Sequence, residues 1–243
     1  LTDSVVLRFG AAKTMARPTL SNLSPSVSGG PTSFLDEDRY YSINLGNPKL
    51  DPFRSTNYDL SAEWYFGEGA LLSAAVFYKD IETYVQRTRL LSTWSELGYS
   101  LDLLPPGFNA NTIFNVQSYY NTPGGPLKGW EISYQQPFRF LPGPLSNLGV
   151  QLNYTHVESE IDYCANALCT AFQTEDLVNL SPVSWNATLY YEKYGFGARI
   201  ATRYRSEYIG EVTNFANDRA LRFVDSDMIT DAQVSYLFSE GML

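Results

Sequence analysis

Leu148-Gly149-Val150-Gln151-Leu152-Asn153-Tyr154-Thr155 sets Leu148, Val150, Leu152 and Tyr154 against Gly149, Gln151, Asn153 and Thr155. Successive side chains of an extended strand point to opposite faces, so this stretch reads as a strand with one greasy and one polar face. The same two-residue period recurs along the chain. Tyr58, Leu60, Ala62, Trp64 and Phe66 interleave with Asp59, Ser61, Glu63 and Tyr65. Trp185, Ala187, Leu189 and Tyr191 interleave with Asn186, Thr188, Tyr190 and Glu192. Phe196, Ala198, Ile200, Thr202 and Tyr204 interleave with Gly197, Arg199, Ala201, Arg203 and Arg205. Ala232, Val234, Tyr236 and Phe238 interleave with Asp231, Gln233, Ser235 and Leu237. Alternation predicts about eight strands, near 4–15, 56–66, 70–86, 127–138, 147–158, 183–193, 196–208 and 230–238.

A soluble sandwich alternates too, so the connections decide. They come short and long in turn. The short ones are Gly67-Glu68-Gly69, the Leu141–Leu145 bend and the Tyr194-Gly195 turn. The long ones cover about 16–55, 87–126, 159–182 and 209–229, and loops of that length are unusual in compact soluble domains. Tight turns at one end and roomy loops at the other are the rhythm of an up-and-down outer-membrane barrel. Aromatics gather beside the short turns: Trp64, Phe66, Phe138, Phe140, Tyr191, Tyr194, Phe196, Tyr236 and Phe238. Barrels place such rings at a lipid interface.

Composition agrees. Aromatic residues reach 15%, with 18 Tyr and 14 Phe, while charged residues are only 18%. Mean hydropathy is −0.21, and no stretch approaches the roughly 18 apolar residues of a membrane helix. Net charge is −9 and the 17 basic residues form no run, which excludes the basic stripe of a nucleic-acid binder. No signal peptide is visible at Leu1-Thr2-Asp3, and the expectation is that the parent protein starts further upstream. Cys164 and Cys169 suit a small disulfide loop outside the cell; half a metal site is the alternative, and no further cysteine and only one histidine, His156, support it. The acids Asp36-Glu37-Asp38 and Asp225-Ser226-Asp227 lack EF-hand spacing and read as solvated loop residues. No metal, no cofactor and no catalysis are expected: His156 stands without a triad motif, and nothing selects a carboxylate pair.

Gly46-Asn47-Pro48-Lys49-Leu50-Asp51-Pro52, followed by the alternating Asn57–Phe66 strand, resembles the barrel of TonB-dependent receptors. Ala12–Pro18 resembles that family's strand-to-loop exit. Leu71–Ile81 resembles the next hairpin arm, and Lys128-Gly129-Trp130-Glu131-Ile132-Ser133-Tyr134 resembles its downstream strand. Gly46, Asn47, Pro48, Leu50 and Pro52 carry the motif. The likeness is nearest to the branch of Caulobacter- and Xanthomonas-like bacteria, often linked to carbohydrate uptake. It implies an all-β, antiparallel transmembrane barrel segment, residues 1–243, within a plugged barrel of roughly 22 strands. The plug, the TonB box and the final strands are expected to lie outside this sequence. It further implies a cell outer membrane location, contact with outer-membrane lipid, TonB as partner through the plug, and active import of a small-molecule nutrient. Carbohydrate is the first expectation for that nutrient. A ferric siderophore, a passive porin-like barrel and a soluble all-β binding module are the alternatives.

Capture of a ligand would fall to outer loops. The 87–126 segment offers Arg87, Arg89, Trp94, Tyr99, Phe108, Phe114, Tyr119 and Tyr120; flat aromatic faces stack on sugar rings or hydrophobic ligands. A loop that packs its own apolar side chains is the alternative reading. Arg199, Arg203 and Arg205 share one strand face, expected to point into the lumen.

Overall fold

The alternation at Leu148–Thr155 becomes a continuous two-faced sheet. The computed structural model describes residues 4–28, 40–104, 106–165, 171–213 and 220–238. In chain order these form β1 (Val5–Ala16), α1 (Leu20–Leu23), β2 (Val27–Ser28), β3 (Tyr41–Leu45), β4 (Phe53–Gly67), β5 (Ala70–Thr93), α2 (Trp94–Leu97), β6 (Ile113–Pro137) and β7 (Leu148–Ser159). There follow β8 (Ile161–Cys164), β9 (Phe172–Glu175), β10 (Val183–Lys193), β11 (Phe196–Arg205), β12 (Tyr208–Thr213), β13 (Ala220–Val224) and β14 (Asp227–Tyr236). The wall runs β1-β4-β5-β6-β7-β10-β11-β14, every neighbour antiparallel. These are the strands expected from alternation. Among the described residues β1 and β14 stand at the two ends of the sheet, so the chain forms part of a barrel wall and not a closed ring.

Register carries one face across all of these strands. One row of partners reads Leu7, Ala62, Ala74, Ile132, Tyr154, Trp185, Tyr204, Met228. The neighbouring row, on the opposite face, reads Arg8, Ser61, Ala75, Glu131, Thr155, Ser184, Arg205, Asp227. Large apolar side chains on the first face, among them Phe9, Leu60, Val76, Ile132, Leu152, Leu189 and Ile200, are exposed. A water-soluble monomer does not leave so extensive an apolar surface open. In a membrane barrel it is the lipid face, and the polar face lines the lumen.

Aromatics bound the belt on both sides. Near the short turns, Trp64 and Phe66 lie 5.0 Å apart, Phe66 stacks on Tyr134, and Tyr236 meets Phe238 at 5.0 Å. Toward the long loops, Trp130 stacks on Tyr154 at 5.0 Å and Trp185 on Tyr204 at 5.7 Å. Just beyond, a row of Tyr58, Tyr78, Lys128 and Glu158 ends the belt, with Lys128 and Glu158 paired at 3.1 Å. From Tyr58 to Phe66 the strand covers about 27 Å, which suits an apolar band of about 25 Å crossed at a tilt. His156 belongs to this lipid-side rim beside Trp130, not to the lumen. Among the described residues no helix is long and apolar enough to cross a membrane.

The short turns are built as expected. Tyr194 and Gly195 join β10 to β11 with φ of 47° and 78°, the left-handed pair a two-residue hairpin needs. The turn after β4 is tied to the bend after β6 by an Arg139–Glu68 ion pair.

One expectation fails. Residues 87–126 are not a loop: β5 runs on to Thr93 and β6 begins at Ile113, with 24 and 25 residues respectively. A membrane needs only about 9–11 residues of tilted strand, so this hairpin stands far above the lipid. Out there protein and water, not acyl chains, border the strand faces, and the lipid–lumen alternation is no longer imposed. The other long connections also carry short strands, β2 and β3, β8 and β9, β12 and β13.

Leu152→Arg puts a cation in the middle of the apolar belt and should destabilise the folded barrel by about 2–4 kcal/mol. Asn153→Arg, one residue along on the lumen face, should cost well under half of that. Denaturant unfolding in lipid vesicles, followed by tryptophan emission, compares the two.

Candidate functional site

The raised hairpin is held upright by a core of its own. β3 adds to β6 in parallel, pairing Tyr41–Asn44 with Phe114–Gln117, and β2 pairs with β3. Ile43, Leu45, Trp94, Phe114 and Val116 close together in the interior. Trp94 is 0% exposed; its indole N–H donates to the Ser100 carbonyl at 3.3 Å. Tyr99 and Phe108 pack on this core from outside, Phe108 lying 5.3 Å from Phe114 and 4.7 Å from Tyr41. The turn that delivers Trp94 is capped reciprocally. Thr93 Oγ1 accepts from the Glu96 amide, and Glu96 Oε2 accepts from the Thr93 amide at 2.8 Å. Those bonds, chiefly from the Thr93 backbone N–H, hold the Glu96 carboxyl below its ordinary range.

Gly46-Asn47-Pro48-Lys49-Leu50-Asp51-Pro52 is the clasp between this core and the wall. The Asn47 amide donates to the Asn22 carbonyl at 2.6 Å, and its carbonyl accepts from the Leu50 amide. Its side chain accepts from the Lys49 amide at 3.0 Å and donates to the Tyr119 carbonyl on β6 at 2.9 Å. Asp51 and Asn121 exchange two bonds, 2.8 and 3.1 Å long. Leu50 is buried. A Cβ at position 46 would lie 2.1 Å from the Ser24 carbonyl oxygen, so only glycine lets the returning chain pass.

A second clasp ties in the loop after β7. Gln86 is buried; its amide group donates to Thr122 Oγ1 at 2.7 Å and to the Asp162 carbonyl at 2.6 Å, and accepts from the Cys164 amide at 3.1 Å. Ile81, Ile161 and Tyr163 form a small core there with Phe53, Tyr84 and Val212 at its margin. Burial pushes the Tyr163 hydroxyl well above the phenol range, so it stays a donor, reaching the Asp176 carbonyl at 3.2 Å. Cys164 is buried and not a free thiol. Cys169 lies outside the described residues, and its pairing with Cys164 remains a proposal.

Among the capture candidates whose side chains are described, Arg87, on the polar side of the raised sheet, is the exposed one. Its Nη2 donates to Asn44 Oδ1 at 2.7 Å and to Gln117 Oε1, and Gln117 in turn donates to Ser42 Oγ at 3.2 Å. Tyr119 is the register partner of Arg87 on the same face. Tyr119 and Tyr120 are half-buried. The Arg89 backbone lies in β5, but its side chain is outside the described residues, as are Asp36, Glu37 and Asp38. Lower down, Arg199, Arg203 and Arg205 share the polar face with Asn153, Asn186 and Glu131, and the Arg205 guanidinium lies over the Tyr208 ring at 4.9 Å. Among the described residues no group of three or more His, Cys, Asp or Glu could hold a metal ion.

The sequence-expected capture set therefore divides. Trp94 and Phe114 are core, Tyr99 and Phe108 cover that core, Arg87 is exposed, and Tyr119 beside it is half-buried. Ser42, Asn44 and Gln117, which position Arg87, were missed. Their signals are the short alternations Tyr41-Ser42-Ile43-Asn44-Leu45 and Phe114-Asn115-Val116-Gln117, hidden inside expected loops.

Asn47→Ala removes two side-chain bonds and should loosen the clasp by about 1–3 kcal/mol, read as at least tenfold faster hydrogen exchange at Lys49 and Asp51. Protonation should loosen the Trp94 turn. Because Glu96 titrates lower when folded, its contribution is present above the usual glutamate range and is lost as pH falls through the depressed value. Exchange at Glu96 should then rise in acid in the native chain and show no such acid step in Glu96→Gln.

A family described as TonB dependent receptor-like, beta-barrel matches residues 1–242. No curated protein matches the sequence. Among solved structures, a point mutant of the ferric enterobactin receptor PfeA of Pseudomonas aeruginosa superimposes with a TM-score of 0.67 at 15% identity, over 99% of this chain and 31% of that one. The siderophore receptor PirA of Acinetobacter baumannii gives 0.65 at 17% identity, over 99% and 34%. The copper transporter OprC gives 0.58 at 12% identity, over 99% and 30%. The chain thus spans about a third of the length of these structures. The family match over nearly the whole sequence and the lipid-faced wall agree: this chain belongs to the TonB-dependent receptor β-barrel family of the Gram-negative outer membrane.

Proposed function

We propose that this chain is part of the wall, lumen lining and capture surface of a plugged barrel that imports a scarce nutrient with energy delivered through TonB. The observation that carries the reading is the sheet's division into an exposed apolar belt between two aromatic girdles and a polar reverse face. Such a sheet cannot end freely in lipid, because unpaired edge N–H and C=O groups find no water there. Further strands must therefore meet β1 and β14, and residues 1–243 act as a segment of a larger barrel that holds a plug. The role is transport, not catalysis. The lumen arginines Arg199, Arg203 and Arg205 serve as pairing points for acids on the plug or on neighbouring strands.

For the substrate, the balance moves from carbohydrate to a siderophore-type metal chelate. Sugar recognition rested on stacking by loop aromatics, and Trp94, Phe114, Tyr99 and Phe108 are engaged in their own core. The similar structures are receptors for ferric enterobactin and siderophores and a copper transporter. That likeness is one of fold, and it supports the chelate reading.

Uptake of ⁵⁵Fe-loaded siderophore by cells carrying the parent receptor should fall to background when a protonophore collapses the proton-motive force or when TonB is deleted. Uptake that survives both would favour a passive pore. Growth rescue by oligosaccharides in place of the iron chelate would restore the carbohydrate reading.

A further inference from the structure

We propose that Arg87 is a pre-set anchor for a negatively charged oxygen of the incoming ligand, such as the catecholate or carboxylate edge of a metal chelate. The proposal deepens the import reading and rests on it for the ligand's identity, though not for the site. An arginine on a protein surface ordinarily either floats in water or pairs with a carboxylate. Arg87 does neither. Its Nη2 group is held by two neutral amide oxygens, Asn44 Oδ1 on β3 and Gln117 Oε1 on β6. Gln117 is buried and is itself oriented by the buried Ser42 hydroxyl. The guanidinium is thus fixed across three strands while its full charge is retained.

Among the described residues these bonds use Nη2, and the Nη1 amino group and the Nε–H are the guanidinium's other donors. Ser42, Asn44, Gln117 and Tyr119, which share this face, carry no charge to cancel it. Amide oxygens hold a cation in place without neutralising it, which is what an anion site needs. Holding the side chain beforehand also removes most of the entropy loss of immobilising a long rotamer-rich group on binding. Charge-assisted bonds to an oxyanion are the stronger class, and Tyr119 offers a ring alongside. Arg87 lies on β5 beyond the membrane-spanning rows, so a ligand docked here stands on the long-loop side of the wall.

The test is equilibrium binding to the full receptor purified in detergent, read by intrinsic fluorescence quenching. The probes are ferric citrate, the ferric complex of 2,3-dihydroxybenzoate, and maltohexaose as a neutral control. The wild type should bind at least one anionic chelate and ignore the sugar, and affinity should fall with added salt. Arg87→Gln should weaken that binding by about tenfold or more, with an unchanged circular dichroism spectrum; Arg87→Lys should fall between. Binding that is equal in wild type and Arg87→Gln, or absent for both chelates, overturns the proposal. Binding in detergent needs neither TonB nor a membrane potential. Intact Arg87-dependent binding with energy-independent uptake would therefore sink the import reading and leave this site standing.

Discussion

Everything in the lower half of this molecule follows from the absence of water in the bilayer. A backbone N–H or C=O that meets hydrocarbon unpaired costs several kcal/mol, so each strand must be bonded on both sides through the membrane. Between its edge strands β1 and β14 the sheet meets that demand with an antiparallel ladder. Once the ladder is complete, side chains have only two directions. One direction meets acyl chains and takes Leu60, Val76, Ile132, Leu152 and Ile200; the other meets the lumen and takes Ser61, Glu131, Asn153 and Arg203. A slip of one residue anywhere would turn Arg203 or Glu131 into lipid, which pins the register as firmly as the turns do.

Above the lipid the same ladder obeys different rules. β5 and β6 keep pairing, but water and protein replace acyl chains on their outer face. Ile43, Trp94, Phe114 and Val116 can then bury a core where lipid would otherwise lie. β3 can join in parallel through a connection that never enters the membrane. Polar groups such as Gln86 and Gln117 become useful in the interior because each finds fixed partners.

That change of rules decides what could be read from the sequence. Within the membrane the period of two is obligatory, and all eight wall strands were legible from it. The girdle beside the short turns was legible too, since Trp64, Phe66, Tyr191 and Phe196 sit next to turns that announce themselves. The girdle on the far side was not. Trp130, Tyr154, Trp185 and Tyr204 fall at different distances from their loops because the strands are staggered, and only register aligns them. The 87–126 stretch failed for a further reason. Asn115, Gln117 and Ser118 are polar yet buried, and Pro123-Gly124-Gly125-Pro126 looks like loop punctuation although it lies in β6. The aromatic residues there suggested a binding platform because composition cannot tell a ring facing solvent from one facing its neighbour.

The Gly46–Pro52 motif shows how the two regimes are joined. It carries no group suited to chemistry, and its asparagine spends its bonds on backbone: Lys49 and Leu50 on its own segment, Asn22 on α1 and Tyr119 on β6. Tyr119 is the register partner of Arg87, and β3, which ends one residue before the motif, supplies the Asn44 that holds Arg87. The clasp therefore sets where β3 stops against β6, and with it the spacing between the two amide oxygens that share the guanidinium. A motif legible as a family mark acts physically as a spacer, fixing an exposed charge to a wall whose own geometry is dictated by the membrane.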